Sequence, residues 1–272
     1  MFVSIITDCS DSNALGRKMT RTASLFGFPP IPIPIENDFD SMSDLEASGH
    51  LIDTLDAGLG NAGAVLVNKA PRSGKAKKWE NGTPFGYFWY KKTLVVSSVD
   101  GFALSFVKKL GLTDSIRVFD IPTVMNYAVA NNLLTQELAD YIITTQFRSF
   151  EFVPRVAKWI FDKIAIPNVV WKINEILDAP NAVWFADVFG NLKTTLLPID
   201  VGFKIGKKIK FVNFGEITCY ERLKDVPNGE TGLIIGSSGI SSNRFLEIVI
   251  QGGSAKAKFK SKIGQRLKVV TD

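Results

Sequence analysis

The sequence is poor in the residues that bind metals or form disulfides. Among its 272 residues are one histidine, His50, and two cysteines, Cys9 and Cys219, which lie far apart in the chain. A disulfide framework or a Cys/His metal cluster within one chain is therefore excluded. We expect no metal and no cofactor, and the scarcity of cysteine is typical of the reducing cytoplasm.

Long hydrophobic runs are also missing. The longest, such as "GAVLV" and "GLII", fall short of the roughly 20 apolar residues that a membrane-spanning helix needs. The N-terminus lacks the basic stretch and apolar region of a secretory signal. Because 46% of the residues are hydrophobic, a full core can form. The sequence predicts a folded cytoplasmic protein with no signal peptide and no membrane partner.

Acidic residues are outnumbered, which gives a net charge of +5 and a pI near 9.1. The lysines occur in separate patches such as "GKAKKW", "KIGKKIK" and "KAKFKSK". We interpret them as solvated surface rather than as a nucleic-acid interface, although binding to a polyanion stays an alternative.

The hydrophobic pattern predicts two domains. "MFVSIITD" reads as a strand, the following "SNALGRKMTRTASLFG" as a helix, and "PPIPIPI" as a strand at a sheet edge because proline lacks an N–H. Strands and helices alternate in this way up to about residue 165, and short strands with Gly, Pro and Asn turns follow. We predict an α/β domain with a largely parallel sheet (1–165), a linker (166–180) and a smaller all-β domain of barrel or sandwich type (181–272).

Two motifs receive a structural interpretation. "GLGNAG", residues 58–63, matches the glycine pattern of dinucleotide-binding loops, but here a helix precedes it and a strand follows it, the reverse of what that loop requires. It predicts a turn that ends a helix. His50 lies in a helical pattern without a histidine or cysteine nearby, which favours a surface or packing role over catalysis.

Polar residues at two strand ends are candidate ligand contacts. Asp8 ends the first strand, where a carboxylate can bind a sugar diol or cap the next helix, and both readings stay open. After a later strand, "VNKAPRSGK" carries Lys69, Arg72 and Lys75, which predict either an anion-binding loop or a solvated basic loop.

Several segments, in order, resemble the S-adenosylmethionine (SAM) hydroxide adenosyltransferases, relatives of the chlorinases and fluorinases. "FVSIITDCSD" resembles the first strand and ribose-binding aspartate of that family, and "TTQFRSFEFVPRVAKW" its T-F-H-G-R-D-x-F-A-P stretch. "VWFADVFGNLKTTL" resembles the D-x-F-G-N-L-x-T-N hairpin of the second domain. "GAVLVNKAPRSGK", "LVVSSVDGFALSFVKKLG" and the strands after Tyr220 extend the resemblance over nearly the whole chain.

The resemblance implies a homotrimer that binds SAM between the N-terminal domain of one subunit and the C-terminal domain of another. In the family a nucleophile attacks the ribose 5′-carbon, and methionine leaves. Asp8 would hold the ribose hydroxyls and Asp187 the methionine ammonium. The remaining family positions that would contact the adenosyl group are Phe189, Asn191, Tyr220, Ser237 and Ser238, with Ser242 and Asn243 as an alternative alignment of the serine turn.

The catalytic positions depart from the family pattern. Where the hydroxide-transferring members have an aspartate, an arginine and a histidine, this chain has Asn68, Lys75 and Phe147. An amide and a phenyl ring cannot accept a proton from water near neutral pH. Lys69, Arg72 and Arg148 crowd the aligned loops, so we do not expect a halide pocket; these cations either stabilise an anionic nucleophile or are solvated.

The sequence thus predicts a divergent relative that binds SAM or adenosine and hydrolyses SAM, at best slowly, to adenosine and L-methionine. The alternative is a non-catalytic adenosyl-ligand sensor or a structural trimer.

Overall fold

The computed structural model describes residues 1–36, 42–69 and 83–270, which form two sheets with helices around the first. The strands of the first sheet are β1 (Phe2–Thr7), β2 (Ile31–Pro34), β3 (Gly63–Asn68), β4 (Phe85–Tyr90), β5 (Thr93–Ser98), β6 (Ser115–Val118) and β7 (Val169–Lys172). Its helices are α1 (Ser12–Phe26), α2 (Ser43–Ala57), α3 (Ser105–Lys109), α4 (Ile121–Ala130), α5 (Gln136–Thr144), α6 (Arg148–Glu151) and α7 (Val153–Phe161).

The first sheet has the order β2-β1-β3-β5-β4-β6-β7. The pairs β2–β1, β1–β3 and β3–β5 are parallel, and the pairs that involve β4 or β7 are antiparallel. Most of its strands therefore run in one direction, which confirms the predicted α/β class. The proline-containing β2 is at one edge, where the missing N–H groups leave no neighbouring strand unpaired.

Apolar clusters cover both faces of the first sheet. On one face α1, α4, α5 and α7 pack on side chains such as Val3, Ile5 and Val96. On the other face α2 and α3 pack on Ile6 and Val95, and the same cluster continues into the second domain through Ala182, Trp184, Ile240 and Phe245. The two domains therefore share one of these cores.

The second sheet contains β8 (Val183–Ala186), β9 (Leu192–Thr194), β10 (Lys208–Phe211), β11 (Gly215–Cys219), β12 (Thr231–Ile240) and β13 (Asn243–Ile250), in the order β10-β11-β12-β13-β9-β8. Two short helices, α8 (Pro198–Val201) and α9 (Ala255–Phe259), accompany it. This confirms the predicted all-β class of the C-terminal domain.

Residues 264–270 link the two edges of this second sheet. The amides of Gly264 and Leu267 donate to the carbonyls of Val183 and Asn181 beside β8, each at 2.8 Å. On the opposite edge, the Val270 amide donates to the carbonyl of Lys210 in β10 at 2.8 Å. The sheet is thereby closed in the manner of a barrel around an apolar core that includes Leu192, Phe211, Leu233 and Ile248.

Several sequence predictions concern connections. The segment 166–180, predicted as a linker, contributes β7 to the first sheet, where it pairs with β6. The predicted domain boundaries otherwise stay predictions. Gly58 ends α2 and β3 begins at Gly63, so "GLGNAG" joins a helix to a strand as predicted. Of the helices in the described residues, none combines the length and apolar character that would let it cross a membrane.

The domains meet where Trp184 of β8 lies on α2. Trp184 is fully buried, and the helix presents Gly49 to the face of its indole. A Cβ atom at position 49 would overlap the six-membered ring of Trp184. His50, the next residue, packs edge-on against Trp184 and Phe185 with ring centroids 5.7 and 5.1 Å away, which agrees with the packing role predicted for it.

We predict that Gly49→Ala lowers the free energy of unfolding by about 2 kcal/mol or more, because the added methyl group overpacks the indole contact. Gly16→Ala is the matched control, since Gly16 is a helical glycine of α1 whose Cβ would meet nothing within 4 Å. That variant should gain about 0.5–1 kcal/mol from helix propensity. Urea denaturation of both variants checks the prediction, and equal stabilities would contradict it.

Candidate functional site

The first candidate group lies where β1 and β3 end side by side. These strands are parallel, with Thr7 opposite Asn68, so the residues that follow them meet at one edge of the sheet. Asp8 is buried there, and its carboxylate accepts a hydrogen bond from Asn68 Nδ2 at 3.3 Å and contacts Lys69 Nζ at 3.3 Å. The two strand ends, which the sequence offered as separate candidate contacts, are thus in direct contact.

The structure decides which aspartate caps α1. Asp11 Oδ1 accepts hydrogen bonds from the amides of Asn13 and Ala14, at 3.1 and 2.9 Å. The helix cap that the sequence left open for Asp8 is therefore provided by Asp11. Asp8 faces the β3 end of the sheet instead.

A buried lysine completes this group, and sequence reasoning missed it. Lys18 of α1 is 2% exposed, and its Nζ donates to Thr7 Oγ1 at 2.5 Å. Burial lowers the pKa of Lys18, while the neighbouring Cys9 and Asp8 act in the opposite direction. The only sequence signal is its spacing from Thr22, which is also buried on the same side of the helix.

Two of the predicted catalytic positions can be located. Asn68 donates a hydrogen bond from its side-chain amide to Asp8, and a carboxamide is too weak a base to take a proton from water. Phe147 precedes α6 and is 55% exposed, with its ring centroid 5.8 Å from that of Phe150. The third position, Lys75, lies outside the described residues.

The cations predicted beside this group have different surroundings. Lys69 is buried and paired with Asp8. Arg148 donates from Nε to the carbonyl of Thr145 at 3.2 Å, and burial lowers the pKa of its guanidinium. Arg72, like Lys75, lies outside the described residues. Within the described ranges, no group of three or more His, Cys, Asp or Glu side chains is arranged to hold a metal ion.

The second candidate group is the hairpin between β8 and β9, residues 187–191. Asp187 Oδ1 accepts hydrogen bonds from the amides of Phe189 and Asn191, each at 2.9 Å, and Oδ2 accepts one from Asn191 Nδ2 at 3.0 Å. Gly190 has a φ of +81°, which a glycine adopts without strain. The carboxylate and the amide that the resemblance assigns to the ligand therefore also build the turn.

The hairpin leaves two apolar side chains in solvent. Val188 is 95% exposed and Phe189 is 76% exposed. They border an open groove of about 410 Å³ that Ser254 and Lys256 also line. The amide of Lys256 donates to the carbonyl of Gly190 at 2.9 Å, which fixes this side of the groove to the turn.

Ser237 and Ser238 lie on β12 in a polar network within the chain. Lys193 Nζ, on β9, contacts Ser238 Oγ at 2.8 Å, Ser237 Oγ at 3.2 Å and Glu247 Oε1 at 2.9 Å. Ser238 Oγ in turn donates to Asp53 Oδ2 of α2 at 2.8 Å. Ser238 thus helps to join the domains, which the sequence pattern did not reveal.

Asp53 is the N-terminal partner in this network. Besides Ser238, it accepts the amide of Gly239 at 3.0 Å through Oδ1. Burial raises the pKa of the Asp53 carboxyl, and the hydrogen bonds from Ser238 and Gly239 oppose that effect. One turn further along α2, the half-exposed Asp56 pairs with Arg244 at 2.8 Å across the same boundary.

The other predicted adenosyl contacts lie further along the second domain. Tyr220 follows β11 and is half-buried against Val226, Ile234 and Val249. Of the alternative to the serine pair, Ser242 lies in the turn between β12 and β13, and Asn243 is the first residue of β13.

The two candidate groups are built from separate sets of contacts. The hydrogen bonds described above for the Asp8 group join the ends of β1 and β3 to each other and to α1. Those of the Asp187 carboxylate stay within its own turn. Each group is therefore held in place by its own domain.

Comparisons with known proteins support the sequence resemblance for the second domain. Residues 181–268 match the family model of the SAM hydroxide adenosyltransferase C-terminal domain. None of the curated proteins matches the chain.

Two solved structures share the fold over the whole chain. An uncharacterized conserved protein from Thermotoga maritima is 16% identical, with a TM-score of 0.67, and the match covers 99% of this chain and 100% of that one. A conserved hypothetical protein from Thermus thermophilus is 15% identical, with a TM-score of 0.56 and 99% of both chains covered. At these identities the likeness concerns the fold alone.

We predict that Asp187→Ala lowers the free energy of unfolding by about 1–2 kcal/mol, because two backbone amides lose their acceptor, as in the loss of a helix cap. Asp187→Asn keeps one acceptor oxygen and should lose less. Thermal or urea denaturation measures both. An Asp187→Ala variant as stable as the parent would mean that the carboxylate does not hold the turn.

A second prediction concerns the interdomain network. Asp53→Ala should cost about 2–3 kcal/mol of unfolding free energy, since it leaves the Gly239 amide without its acceptor at a buried position. Asp56→Ala, which breaks a more exposed ion pair on the same helix, should cost less than about 1 kcal/mol. Urea denaturation of the two variants compares these values, and a larger loss for Asp56→Ala would refute the ranking.

Proposed function

We propose that the chain, whose residues 181–268 match the family model of the SAM hydroxide adenosyltransferase C-terminal domain, binds SAM or adenosine beside the hairpin of residues 187–191. SAM is then a substrate or ligand rather than a cofactor. The proposal assigns the adenosyl group to the groove of about 410 Å³ that the hairpin borders.

The observation that carries the proposal is the exposed Phe189 on a rigid turn. A phenyl ring that is 76% exposed leaves its apolar surface in water. The hydrogen bonds of the turn between Asp187 and Asn191 hold the backbone under it in one conformation. Such a ring can stack on a purine base at little entropic cost, because the backbone that carries it is already ordered.

The Asp8 group would provide the ribose side of the ligand. A carboxylate at the end of parallel strands can accept hydrogen bonds from a diol. The Asp8 side chain is fully buried against Asn68 and Lys69, so it would exchange these contacts for the ribose hydroxyls. The family resemblance implies a trimer with sites between subunits, and we therefore take the Asp8 group from one subunit and the hairpin from the next. A ligand then lies between Asp8 of one subunit and Phe189 of the next.

In hydrolysis, water attacks the ribose 5′-carbon, the bond from that carbon to the sulfonium breaks, and methionine leaves as a neutral thioether while the proton of the water passes to solvent. The carboxamide of Asn68, which donates a hydrogen bond to Asp8, is too weak a base to take this proton. The absence of a positioned base typically costs about 10²- to 10⁴-fold in rate. We therefore propose slow hydrolysis of SAM to adenosine and L-methionine.

The second candidate function is binding without turnover, as a sensor of an adenosyl ligand or a structural trimer. It is favoured by the same contact between Asn68 and Asp8, because this contact fills the place of a catalytic base with a hydrogen-bond donor. The two functions share the binding site and differ only in whether products form.

We predict that Phe189→Ala weakens binding of SAM and adenosine by about 5- to 150-fold, which is the value of one base–aromatic stack. Ile199→Ala is the matched control, since Ile199 is 85% exposed in the same domain and does not line the groove, and it should bind as the parent does. Isothermal titration calorimetry measures both affinities. Neither substitution should change the melting temperature by more than the variation between preparations, because neither side chain is packed.

Incubation of the parent protein with SAM, followed by chromatography, separates the two functions. Adenosine and methionine formed in equal amounts support slow hydrolysis, and saturable binding without products supports the sensor. If the parent protein binds neither SAM nor adenosine at millimolar ligand, hydrolysis and the sensor are both refuted, and only the structural trimer is left. Sedimentation in the presence of ligand tests the trimer.

A further inference from the structure

A second cavity, of about 160 Å³, lies next to the hairpin groove and shares Phe185, Ala186 and Lys256 with it. Its volume corresponds to roughly five water molecules at liquid density, so it admits only a small ligand. Val183 and Ile263 provide further apolar lining. The proposed function does not use this cavity.

Positive charge predominates among the residues that line it. Lys256 and Lys262 are both exposed at its rim, and Glu36 is the single carboxylate among the described lining residues. The salt bridges within the described part of the chain involve neither of the two lysines. The two ammonium groups are therefore neutralised only in part.

Ser261 supplies an independent indication that something polar is missing. It also lines the cavity, it is 5% exposed, and its Oγ has no hydrogen-bond partner among the described residues. A buried hydroxyl without a partner costs about 1–3 kcal/mol. Unsatisfied buried groups of this kind in a folded protein often mark the place of a water molecule or a ligand.

The segment that carries these side chains is held in place by its backbone. The Lys256 amide bonds the carbonyl of Gly190, the Ser261 amide bonds the carbonyl of Lys256 at 3.1 Å, and the Gly264 amide bonds the carbonyl of Val183. The cations and the hydroxyl therefore lie on α9 and the residues after it, a segment bonded to the hairpin at Gly190 and to β8 at Val183. Because this segment is already ordered, binding of a ligand to its side chains costs less entropy.

The C-terminal domain as a whole also carries an excess of positive charge. Residues 181–268 contain fourteen lysines and arginines but only seven acidic residues. Residues 1–180 contain eighteen lysines and arginines and nineteen acidic residues. The excess positive charge of the protein therefore belongs to the domain that forms most of the cavity. Such a field attracts anions to this face.

We propose that Lys256, Lys262 and Ser261 form a binding site for a small oxyanion, either a carboxylate or a phosphate group. The two ammonium groups supply charge, the Ser261 hydroxyl supplies a hydrogen bond, and Val183 and Ile263 contact a short apolar body where the ligand has one. Glu36 opposes the anion and limits the affinity. The site is separate from the adenosyl groove but adjoins it through Lys256.

The test titrates the full-length protein with inorganic phosphate and, separately, with acetate and butyrate, at constant ionic strength, by calorimetry. The double variant Lys256→Gln/Lys262→Gln should bind the anions about tenfold more weakly. Glu36→Gln should bind them more tightly, because it removes the repelling carboxylate. Lys224→Gln, which changes an exposed lysine of the same domain away from the cavity, is the matched control and should bind as the parent does.

The oxyanions distinguish the sources of the ligand. Phosphate bound more tightly than both acids supports a phosphate group, and butyrate bound more tightly than acetate supports a carboxylate on an apolar body. Unchanged affinity in the double variant would mean an adventitious ion only and would overturn the proposal. So would the absence of any binding by the parent protein.

Ser261→Ala tests the hydroxyl. We expect weaker anion binding without a lower melting temperature, because the substitution also removes an unsatisfied buried group. Unchanged affinity would exclude the hydroxyl from the site. Since these titrations contain no adenosyl ligand, their failure would leave the proposed function standing, and a protein that fails to bind SAM can still bind the oxyanion.

Discussion

The contact between Trp184 and Gly49 determines how the two domains are arranged. Trp184 has no exposed surface, stacks on Phe185 at a centroid distance of 5.6 Å, and meets Phe106 and His50 edge-on. Its indole nitrogen has no hydrogen-bond partner among the described residues, so apolar packing outweighs that loss. Because Phe185 and Ala186 connect Trp184 directly to Asp187, the position of the hairpin depends on an indole that only a glycine on α2 can accommodate.

Much of the fold follows from local patterns in the sequence. The alternation of strands and helices indicates the α/β class, and the prolines of β2 predict an edge strand, since a central strand needs its N–H groups. The closure of the second domain was not predictable beyond "barrel or sandwich". It rests on a few hydrogen bonds from residues 264–270 to both edges of the sheet, and no local pattern in "GQRLKVV" marks a segment with two partners.

The candidate site was predictable to the extent that sheet topology dictates it. Asp8 and Asn68 follow parallel neighbouring strands, and so their meeting could be expected. The buried Lys18 and the Lys193–Ser238–Asp53 network could not, because these polar contacts depend on helices packed from distant parts of the sequence. The direction of the Asp187 carboxylate is a further example, since the same residue type in the same turn can face a ligand or its own backbone amides.

The closure of the second sheet has a consequence for the order of events during synthesis. Until residues 264–270 have left the ribosome, the outer edges of β8 and β10 have no partner and the apolar core between them stays open to water. The first domain has its own complete face under α1, α4, α5 and α7 by then. The apolar cluster on the other face of this sheet is complete only when Trp184 and its neighbours in the second domain have packed on it. A nascent chain therefore has one face of the first sheet covered and the other still exposed to water.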